Sequence, residues 1–360
     1  MDNVKRYTLC LICLLVMASC LCIRARAAET AGLSGPATAA KSAILIDAST
    51  RRPLYEKNSD ERLQMASTTK IMTTLLTIEA GELDEFFEIN YDDIKTEGSS
   101  MGLKPGDIVS RRILAYGMML PSGNDAANAA AISVGGSIED FVAMMNERAD
   151  SMGLTDTNFV TPSGLDDYTD CHYSTARDMA MLAAEALENE TFRQICGTRS
   201  ICLESGNGEE IWLSNTNRLL DYCDGIIGVK TGFTDKAKRC LVSACERDGV
   251  TLICVTLNDP NDWLDHSNLY DYAFGLYESR SFEGVSLQIP GISSQELFQI
   301  ESEDFCLPLT EEDYDRVKRV IIAPRFVYPP YDDGKQVGSV LYTLDGRTLA
   351  QKELVLRRGE

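Results

Sequence analysis

The spacing of apolar residues changes near residue 200, and this change limits the folds open to the chain. Before that point, "SIEDFVAMMNERADSMG" (137–153) places Ile138, Phe141, Val142 and Met145 on one face of a helix. After it, the short runs "IIGVKTG", "CLVSAC" and "TLICVTL" are typical of strands, and Asp248-Gly249 supplies a hairpin turn between the last two. The pattern predicts helices followed by an antiparallel sheet.

Other segments complete this α+β pattern. "SAILID" and "PLY" predict a hairpin over 42–55, a helix follows from residue 66, and "STARDMAMLAAEAL" (174–187) predicts another. From about residue 281 strand-like runs dominate, and a second Asp-Gly turn lies at 345–346. We therefore predict an α+β domain over 28–280 and a small β-rich domain over 281–360.

Residues 1–27 have the composition of a secretory signal peptide. Lys5 and Arg6 precede an almost uncharged run over 9–22, and Ala25-Arg26-Ala27 offers small residues for cleavage after Ala27. A retained anchor would need about 20 apolar residues, and the run is shorter. "MASC" (17–20) weakly resembles a lipoprotein cleavage site, but the apolar run continues past Cys20. We expect an exported protein, on the cell-wall side of the cytoplasmic membrane or secreted.

The charge balance argues against some partners. The chain has 34 Lys and Arg against 55 Asp and Glu, a net charge of −21, which removal of the first 27 residues would shift to about −24. Such a charge repels nucleic acid and anionic lipid. We expect no nucleic-acid partner.

Cysteine spacing argues against a metal site. Eight cysteines follow residue 27, and none has the CxxC spacing of a zinc site. An even number outside the cytosol permits disulfides, so buried thiols with one or two bridges remain possible. We expect no metal and no cofactor.

"ASTTKIMTTLL" (66–76) places Ser67 one helical turn before Lys70. Residues three apart on a helix are neighbours, so the two side chains can touch. A lysine desolvated by apolar neighbours has a lowered pKa and can take a proton from serine, which makes a nucleophile without histidine. In isolation the pair has a plainer interpretation, a capping serine followed by a surface lysine.

Two further motifs favour the catalytic interpretation. Ser122-Gly123-Asn124 begins a predicted helix, and Lys230-Thr231-Gly232 lies in a predicted strand, so S-x-x-K, S-x-N and K-T-G occur in that order. A second S-G-N at 205–207 lies among glycines and charges, where a loop is expected. The ordered set of three is far more specific than any one motif.

These motifs and the β-rich tail resemble the low-molecular-mass penicillin-binding proteins that act as D-alanyl-D-alanine carboxypeptidases. The resemblance extends over nearly all of the chain after residue 27, including "EGSSMGL", "PSGNDAA", "NFVTPSGLDD", "YSTARDMA" and "VKTGFT". It implies a β-lactamase/transpeptidase-like domain, an antiparallel sheet with helices and a helical subdomain. It also implies peptidoglycan stem peptides as substrates and acylation by β-lactam antibiotics.

The resemblance implies a role for each motif residue. Ser67 would attack the D-Ala-D-Ala carbonyl, Lys70 would accept its proton, and Ser122 would relay a proton to the leaving D-alanine. The implied substrate-binding residues are Asn124 for the peptide amide, Lys230 and Thr231 for the terminal carboxylate, Gly232 for room beside the substrate backbone, and Phe233 for an oxyanion-hole N–H shared with that of Ser67.

Some segments depart from the family pattern. "TDKAKRCLV" (234–242) follows the K-T-G strand where many relatives carry Ala-Gly, and "YTDC" lengthens the 166–172 loop. "KELVLRRGE" is short and strand-like where many relatives carry an amphipathic membrane helix. We therefore hold membrane attachment to be doubtful.

Two other functions stay open from the sequence. A β-lactamase shares the motifs, but no E-x-x-L-N lies between Asn124 and Lys230. The second is a catalytically silent peptidoglycan-binding protein. A Ser-His-Asp triad is disfavoured because His172 and His266, the only histidines, look like ordinary surface or hydrogen-bonded residues, and "GSSMG" (98–102) lacks the strand and helix of a nucleophile elbow.

Overall fold

The structure is a computed structural model that describes residues 35–166, 169–292 and 296–357. The predicted signal peptide, residues 1–27, lies outside these described residues. In the described part of the chain, no helix combines the length and the apolar character needed to cross a bilayer.

A five-stranded antiparallel sheet forms the centre of the first part of the chain. Its strands follow the order β2-β1-β9-β8-β7, so β7 lies at one edge. The strands are β1 (Ser42–Asp47), β2 (Pro53–Lys57), β7 (Ile226–Thr234), β8 (Lys238–Arg247) and β9 (Val250–Leu257). Both hairpins predicted here are confirmed. Asp248 and Gly249 have φ values of 49° and 77°, as a tight turn between β8 and β9 requires.

Helices cover the chain between β2 and β7 and return after β9. They are α1 (Lys70–Glu79), α2 (Arg111–Met119), α3 (Asn124–Gly135), α4 (Ile138–Ser151), α5 (Ala176–Glu188), α6 (Glu190–Gly197), α7 (Leu219–Tyr222) and α8 (Asp262–Leu276). The predicted start of α4 is confirmed, because Ser137 Oγ accepts a hydrogen bond from Asp140 N at 3.0 Å. Two short hairpins lie among these helices: β3 (Phe86–Glu88) with β4 (Ile108–Ser110), and β5 (Ser200–Glu204) with β6 (Glu210–Ser214).

The central sheet is buried on both faces. Ile44 and Ile46 of β1 face a large apolar cluster shared with α1 to α6, whereas Leu45 faces a second cluster with Leu269 and Tyr270 of α8. Successive residues of a strand point to opposite faces, so the unbroken apolar run of "SAILID" serves both clusters. This packing fixes the position of β7 and its motif.

A second five-stranded antiparallel sheet forms most of the C-terminal part. Its strands follow the order β11-β12-β16-β15-β14 and enclose a separate apolar cluster. The strands after α8 are β10 (Glu278–Phe282), β11 (Ser286–Pro290), β12 (Leu297–Glu301), β13 (Phe305–Leu309), β14 (Lys318–Ile322), β15 (Gln336–Leu344) and β16 (Arg347–Arg357), with α9 (Glu311–Arg316) before β14. The predicted α+β fold with a β-rich C-terminal part is thus confirmed. The predicted boundary between residues 280 and 281 falls inside β10 and stays a prediction.

The structure also tests what the sequence indicated for His266 and for the cysteines. His266 is hydrogen-bonded, which is one of the two environments expected for it. His266 lies in α8 fully buried, where Ser243 Oγ is 2.7 Å from Nδ1 and Thr256 Oγ1 is 3.0 Å from Nε2. Burial lowers the pKa of His266 to about 3. The eight cysteines after residue 27 are all described, and all are free thiols in this structure. The one or two disulfides that their even number permits are therefore not formed here.

Candidate active site

A tight turn brings Ser67 and Lys70 together at the start of α1. Residues Ala66–Thr69 form one turn of 3₁₀ helix, and α1 continues from Lys70. Lys70 Nζ lies 3.0 Å from Ser67 Oγ. The Lys70 side chain is fully buried, although lysine is almost never buried without a polar reason.

Lys70 Nζ has three neighbours that can accept a hydrogen bond. Besides Ser67 Oγ, these are Asn124 Oδ1 and the carbonyl oxygen of Ser163, each at 2.7 Å. A neutral amine can donate to Asn124 and Ser163 and still offer its lone pair to the hydroxyl hydrogen of Ser67. The arrangement therefore suits proton transfer from Ser67 to Lys70.

Burial keeps the amine of Lys70 poised to be neutral. Desolvation holds its pKa well below the ordinary value, and the charge of Lys230 lowers it further, while Asp125 opposes both. The lysine that sequence reasoning singled out thus has the property that a general base near neutral pH needs.

The segment that supplies the Ser163 carbonyl is held by a glycine. Gly164 has a φ of 89°, and a Cβ there would lie 2.0 Å from the carbonyl oxygen of Ala66. Only glycine permits this approach of two backbones, which ties the 161–165 loop to the turn of Ser67. Sequence reasoning noted "NFVTPSGLDD" but assigned no role to Ser163 or Gly164.

Asn124 holds Lys70 in place. Its Nδ2 donates to the carbonyl oxygen of Glu97 at 2.7 Å, its Oδ1 accepts from Lys70, and its side chain is 3% exposed. The implied role was contact with a substrate amide. Only one amide hydrogen and one oxygen lone pair remain for that contact, so the geometry gives Asn124 a positioning role first.

Ser122 and Gly123 join α3 to the wall of a cleft. Ser122 has a φ of 67°, rare for a residue with a side chain, and lies with Ser67 on the cleft surface. A Cβ on Gly123 would lie 2.7 Å from Asp125 Oδ1 and 3.0 Å from Met101 N, so glycine is needed there. Such a strained serine is typical of functional positions.

Asp125 organises the loop opposite this helix start, a role that sequence reasoning missed. Its carboxylate accepts hydrogen bonds from the hydroxyl of Ser100 and from the backbone N–H groups of Met101, Gly102 and Leu103. The sequence signal that could have indicated this role is the acidic residue directly after S-G-N. The "GSSMG" segment is a loop, as predicted, and its Ser99 lines the cleft.

The K-T-G motif lies on edge strand β7 beside the Ser67 turn. A Cβ on Gly232 would lie 3.1 Å from both Ser67 N and Met65 O, so glycine lets β7 approach the turn. Lys230 is 1% exposed, and its Nζ donates to the carbonyl oxygen of Thr231 at 2.9 Å. Burial lowers the pKa of Lys230 to about 7.

The cleft has a volume of about 370 Å³ and contains residues from all three motifs. Of the predicted site residues, Ser67, Ser122, Thr231, Gly232 and Phe233 line it. The other three, Lys70, Asn124 and Lys230, are buried. Lys70 Nζ is hydrogen-bonded to Ser67 Oγ at the cleft. The structure thus brings the motif residues to one cleft.

Two arginines in the cleft wall were not predicted. Arg218 is exposed there, and Arg239 binds the Asp262 carboxylate with Nε and Nη2 while its guanidinium lies 5.3 Å from the centre of the Trp263 ring. Arg239 falls in "TDKAKRCLV", the segment that departs from the family pattern. No local signal marked Arg218, which reaches the cleft through the fold.

His172 packs behind the turn that carries Ser67. It is fully buried, its Nδ1 accepts from Val160 N at 2.9 Å, and its Nε2 lies 2.8 Å from Thr69 Oγ1. Because Nδ1 accepts, the proton of the neutral ring is on Nε2 and points to Thr69. Burial, with a smaller effect of Lys70, lowers the pKa of His172 to about 4. The sequence left two environments open for His172, the surface or a hydrogen-bonded position. The structure shows the second, inside the protein.

The described residues contain no group of three or more His, Cys, Asp and Glu side chains placed to hold a metal ion.

Comparison with known proteins identifies the family. Residues 29–261 match the model of peptidase family S11, D-alanyl-D-alanine carboxypeptidase. D-alanyl-D-alanine carboxypeptidase DacF of Bacillus subtilis is 34% identical over 334 residues, which cover 88% of this chain and 85% of that protein.

Solved structures give the same result. The structure of D-alanyl-D-alanine carboxypeptidase DacD from Francisella tularensis is similar with a TM-score of 0.67 and 26% identity, covering 92% of this chain and 95% of that one. The Streptomyces K15 DD-transpeptidase is similar with a TM-score of 0.64 and 34% identity, covering 68% of this chain and all of the other.

Proposed function

The chain belongs to the D-alanyl-D-alanine carboxypeptidase family and is a serine-type peptidase with a cell-wall function, and from that premise we propose which residues carry the reaction. Ser67 is the nucleophile, Lys70 the general base and Ser122 the proton relay. One observation carries the proposal: a fully buried lysine amine lies 3.0 Å from a serine hydroxyl in the cleft.

Acylation begins with the hydroxyl of Ser67. Lys70 takes the proton as Oγ attacks the carbonyl carbon between the two D-alanines, and a tetrahedral oxyanion forms. The backbone N–H groups of Ser67 and Phe233 donate to this oxyanion, which the close approach of β7 at Gly232 makes geometrically reasonable. Asn124 and the Ser163 carbonyl keep the amine aimed at Ser67 throughout.

Collapse of the tetrahedral species breaks the peptide bond. The leaving nitrogen of D-alanine receives a proton through Ser122 from the ammonium of Lys70, which returns Lys70 to its neutral form. Water then attacks the carbonyl carbon of the Ser67 ester while Lys70 accepts a proton from it. Collapse of this second tetrahedral species breaks the bond to Ser67 Oγ, which takes the proton back from Lys70, and the shortened stem leaves with a free carboxyl group. Each turnover consumes one water and releases one D-alanine.

Lys230 and Thr231 bind the terminal carboxylate of the substrate. In the free enzyme the pKa of Lys230 is about 7 because of burial, and an anionic substrate raises it by favouring the ammonium. Substrate binding thus restores the charge that recognises it. The hydroxyl of Thr231, 2.8 Å from that of Thr216, adds a neutral donor.

The substrate we propose is the peptidoglycan pentapeptide stem, and β-lactam antibiotics are expected to acylate Ser67 in the same way. This requires action outside the cytoplasmic membrane, to which residues 1–27 as a cleaved signal would direct the chain. Arg218 in the cleft wall and the ammonium form of Lys230 give the cleft a local positive charge in a chain of net charge −21. That charge suits a substrate ending in a carboxylate.

The test is D-alanine release from a pentapeptide ending in D-Ala-D-Ala. We expect release by the wild type, no release by Ser67→Ala, and full release by the matched Ser205→Ala, which alters a serine outside the cleft. Mass spectrometry after penicillin treatment should find the adduct on the peptide that contains Ser67.

The same assays separate the alternatives. Equal, negligible release from wild type and Ser67→Ala would favour a silent peptidoglycan-binding protein. Fast nitrocefin hydrolysis with no D-alanine release would favour a β-lactamase. An adduct on any residue other than Ser67 would overturn the assignment of the nucleophile.

A further inference from the structure

Strand β14 (Lys318–Ile322) ends the C-terminal sheet and is open on one side. Within the described residues it pairs only with β15, and its five residues are all exposed. The outer edge of such a strand presents backbone N–H and C=O groups with no protein partner, which can pair with another chain. Natural proteins usually shorten or cover such an edge.

The side chains on this edge are unusually apolar for a surface. Val320, Ile321 and Ile322 are 46%, 40% and 53% exposed, and Phe326 and Tyr328 in the following loop are 47% and 64% exposed. We call residues 318–328 the β14 edge. Val320 and Ile322 lie on one face of the strand and Ile321 on the other, so exposed apolar side chains flank this edge on both faces of the sheet.

The charge of the β14 edge is opposite in sign to the net charge of the whole chain. It carries Lys318, Arg319 and Arg325 and no acidic residue, in a protein of net charge −21. Arg316, just before it, is paired with Glu312, Asp313 and Asp345. Across the ranges that the structure describes, the three cations of the β14 edge have no such carboxylate.

We propose that the β14 edge binds an extended, acidic segment of another protein, which joins the sheet as a sixth strand. Backbone hydrogen bonds would supply the pairing, and apolar side chains of the segment would cover Val320 to Ile322. Carboxylates of the segment would neutralise Lys318, Arg319 and Arg325. This proposal does not depend on the assignment of the catalytic residues.

Two other occupants fit less well. A second copy pairing antiparallel through β14 would place four cations and no carboxylate along one short interface, and the repulsion between them opposes this pairing. A bilayer would strip water from the open edge and leave its N–H and C=O groups unbonded, which costs several kcal/mol for each group in hydrocarbon. Only an added strand satisfies both the backbone and the charge.

The experiment measures binding of a labelled nine-residue peptide of alternating Glu and Val to the purified protein by fluorescence anisotropy. A peptide with Lys in place of Glu is the charge control. We expect the double variant Lys318→Glu/Arg319→Glu to bind the Glu peptide about tenfold more weakly. Lys104→Glu, an exposed lysine far along the chain, should bind it as the wild type does.

Two further readouts keep the test decisive. The double variant should prefer the Lys peptide, an inversion that a misfolded protein would not show, and the Glu peptide should slow amide hydrogen exchange at 318–322 in the wild type. Equal binding of both peptides by the wild type, or unchanged exchange at 318–322, would overturn the proposal. So would co-sedimentation with phosphatidylglycerol vesicles, or dimerisation through β14, in the absence of peptide binding.

Discussion

The same tripeptide, Ser-Gly-Asn, occurs at 122–124 and at 205–207 in contrasting surroundings. In the first copy the asparagine begins α3, is 3% exposed and is bonded to Lys70. In the second, the tripeptide is the turn between β5 and β6, where the serine hydroxyl accepts from Glu209 N and Asn207 is exposed. The chemistry of the motif therefore comes from the buried lysine beside it, and the three letters alone carry none.

The difference has a simple physical origin. An exposed amide exchanges its hydrogen bonds with water at little cost, so the long one that Asn207 Nδ2 donates to the carbonyl oxygen of Gly106, at 3.4 Å, fixes little. A buried amide must keep its partners, because each one lost leaves a desolvated polar group that costs roughly 1 to 3 kcal/mol. Asn124 therefore holds Lys70 at a fixed place and distance.

The largest difference in activity is expected between the alanine variants of Ser122 and Ser205. Ser122→Ala removes the proposed proton relay, and we expect kcat/KM for D-alanine release to fall by roughly 10² to 10⁴. Ser205→Ala should stay within about twofold of the wild type, because its hydroxyl bonds only within a turn. Full activity of Ser122→Ala in this steady-state assay would remove the relay from the mechanism.

The two asparagines should show the next largest contrast. Asn124→Ala frees the amine of Lys70 to move, and a misplaced base costs roughly a hundredfold in kcat/KM. Asn207→Ala is the matched control and should leave kcat/KM unchanged. Similar losses in both variants would break the comparison.

The pH profile shows whether Asn124 acts through Lys70. The proposed mechanism requires neutral Lys70, so we expect kcat/KM to rise as pH rises through its lowered pKa. The Asn124 carbonyl favours the ammonium more than the amine, so its loss lowers that pKa further and moves the acid limb to lower pH. An acid limb unmoved in Asn124→Ala would indicate a different role.

Replacing Gly123 or Gly206 by alanine should lower the stability of the protein by similar amounts, but only one of the two changes should lower its activity. A Cβ on Gly123 would meet Asp125 Oδ1 at 2.7 Å, and one on Gly206 would meet Ile108 Cγ2 at 2.4 Å. We expect each alanine variant to lose about 1 to 3 kcal/mol in the free energy of unfolding, measured by urea titration. Only Gly123→Ala should also lose activity at a temperature where both are folded.

The smallest expected effect is on the stability of Ser205→Ala. It removes one hydrogen bond, from Glu209 N to Ser205 Oγ at 3.0 Å, which is worth about 1 kcal/mol. Calorimetry should find Tm lowered by roughly 2 °C, with activity retained. A much larger drop would mean that the turn supports more of the fold than its contacts indicate.

Most of the sheet and several helices could be predicted from the sequence, since their signals are local. The runs of β8 and β9 with Asp248-Gly249, and the periodic face and cap of α4, need no knowledge of distant residues. The hairpin of β5 and β6 was missed because each strand is short and carries glutamates. Helix α8 was missed because it buries Asp262, Asp265 and His266, which hide its apolar face.

In the candidate site, too, only the contacts between residues close in sequence could be predicted. The contact of Ser67 with Lys70 could be predicted because it joins residues one helical turn apart. The Ser163 carbonyl lies 93 residues from Lys70 in the chain, so no spacing rule could pair them. Arg218 and Arg239 reach the cleft only through the packing of the whole sheet, which motifs do not encode.

The two histidines also determine how the fold responds to acid. His172 and His266 are buried neutral, with pKa values of about 4 and about 3, whereas an unfolded chain binds protons at about 6.5. The contribution of the two histidines to stability is therefore complete above pH 6.5, and each histidine removes on the order of 1 kcal/mol for every pH unit below it, until its own folded pKa is reached. Purified samples should keep longest in buffers above that point, and crystallisation screens biased to acid would select against the native protein.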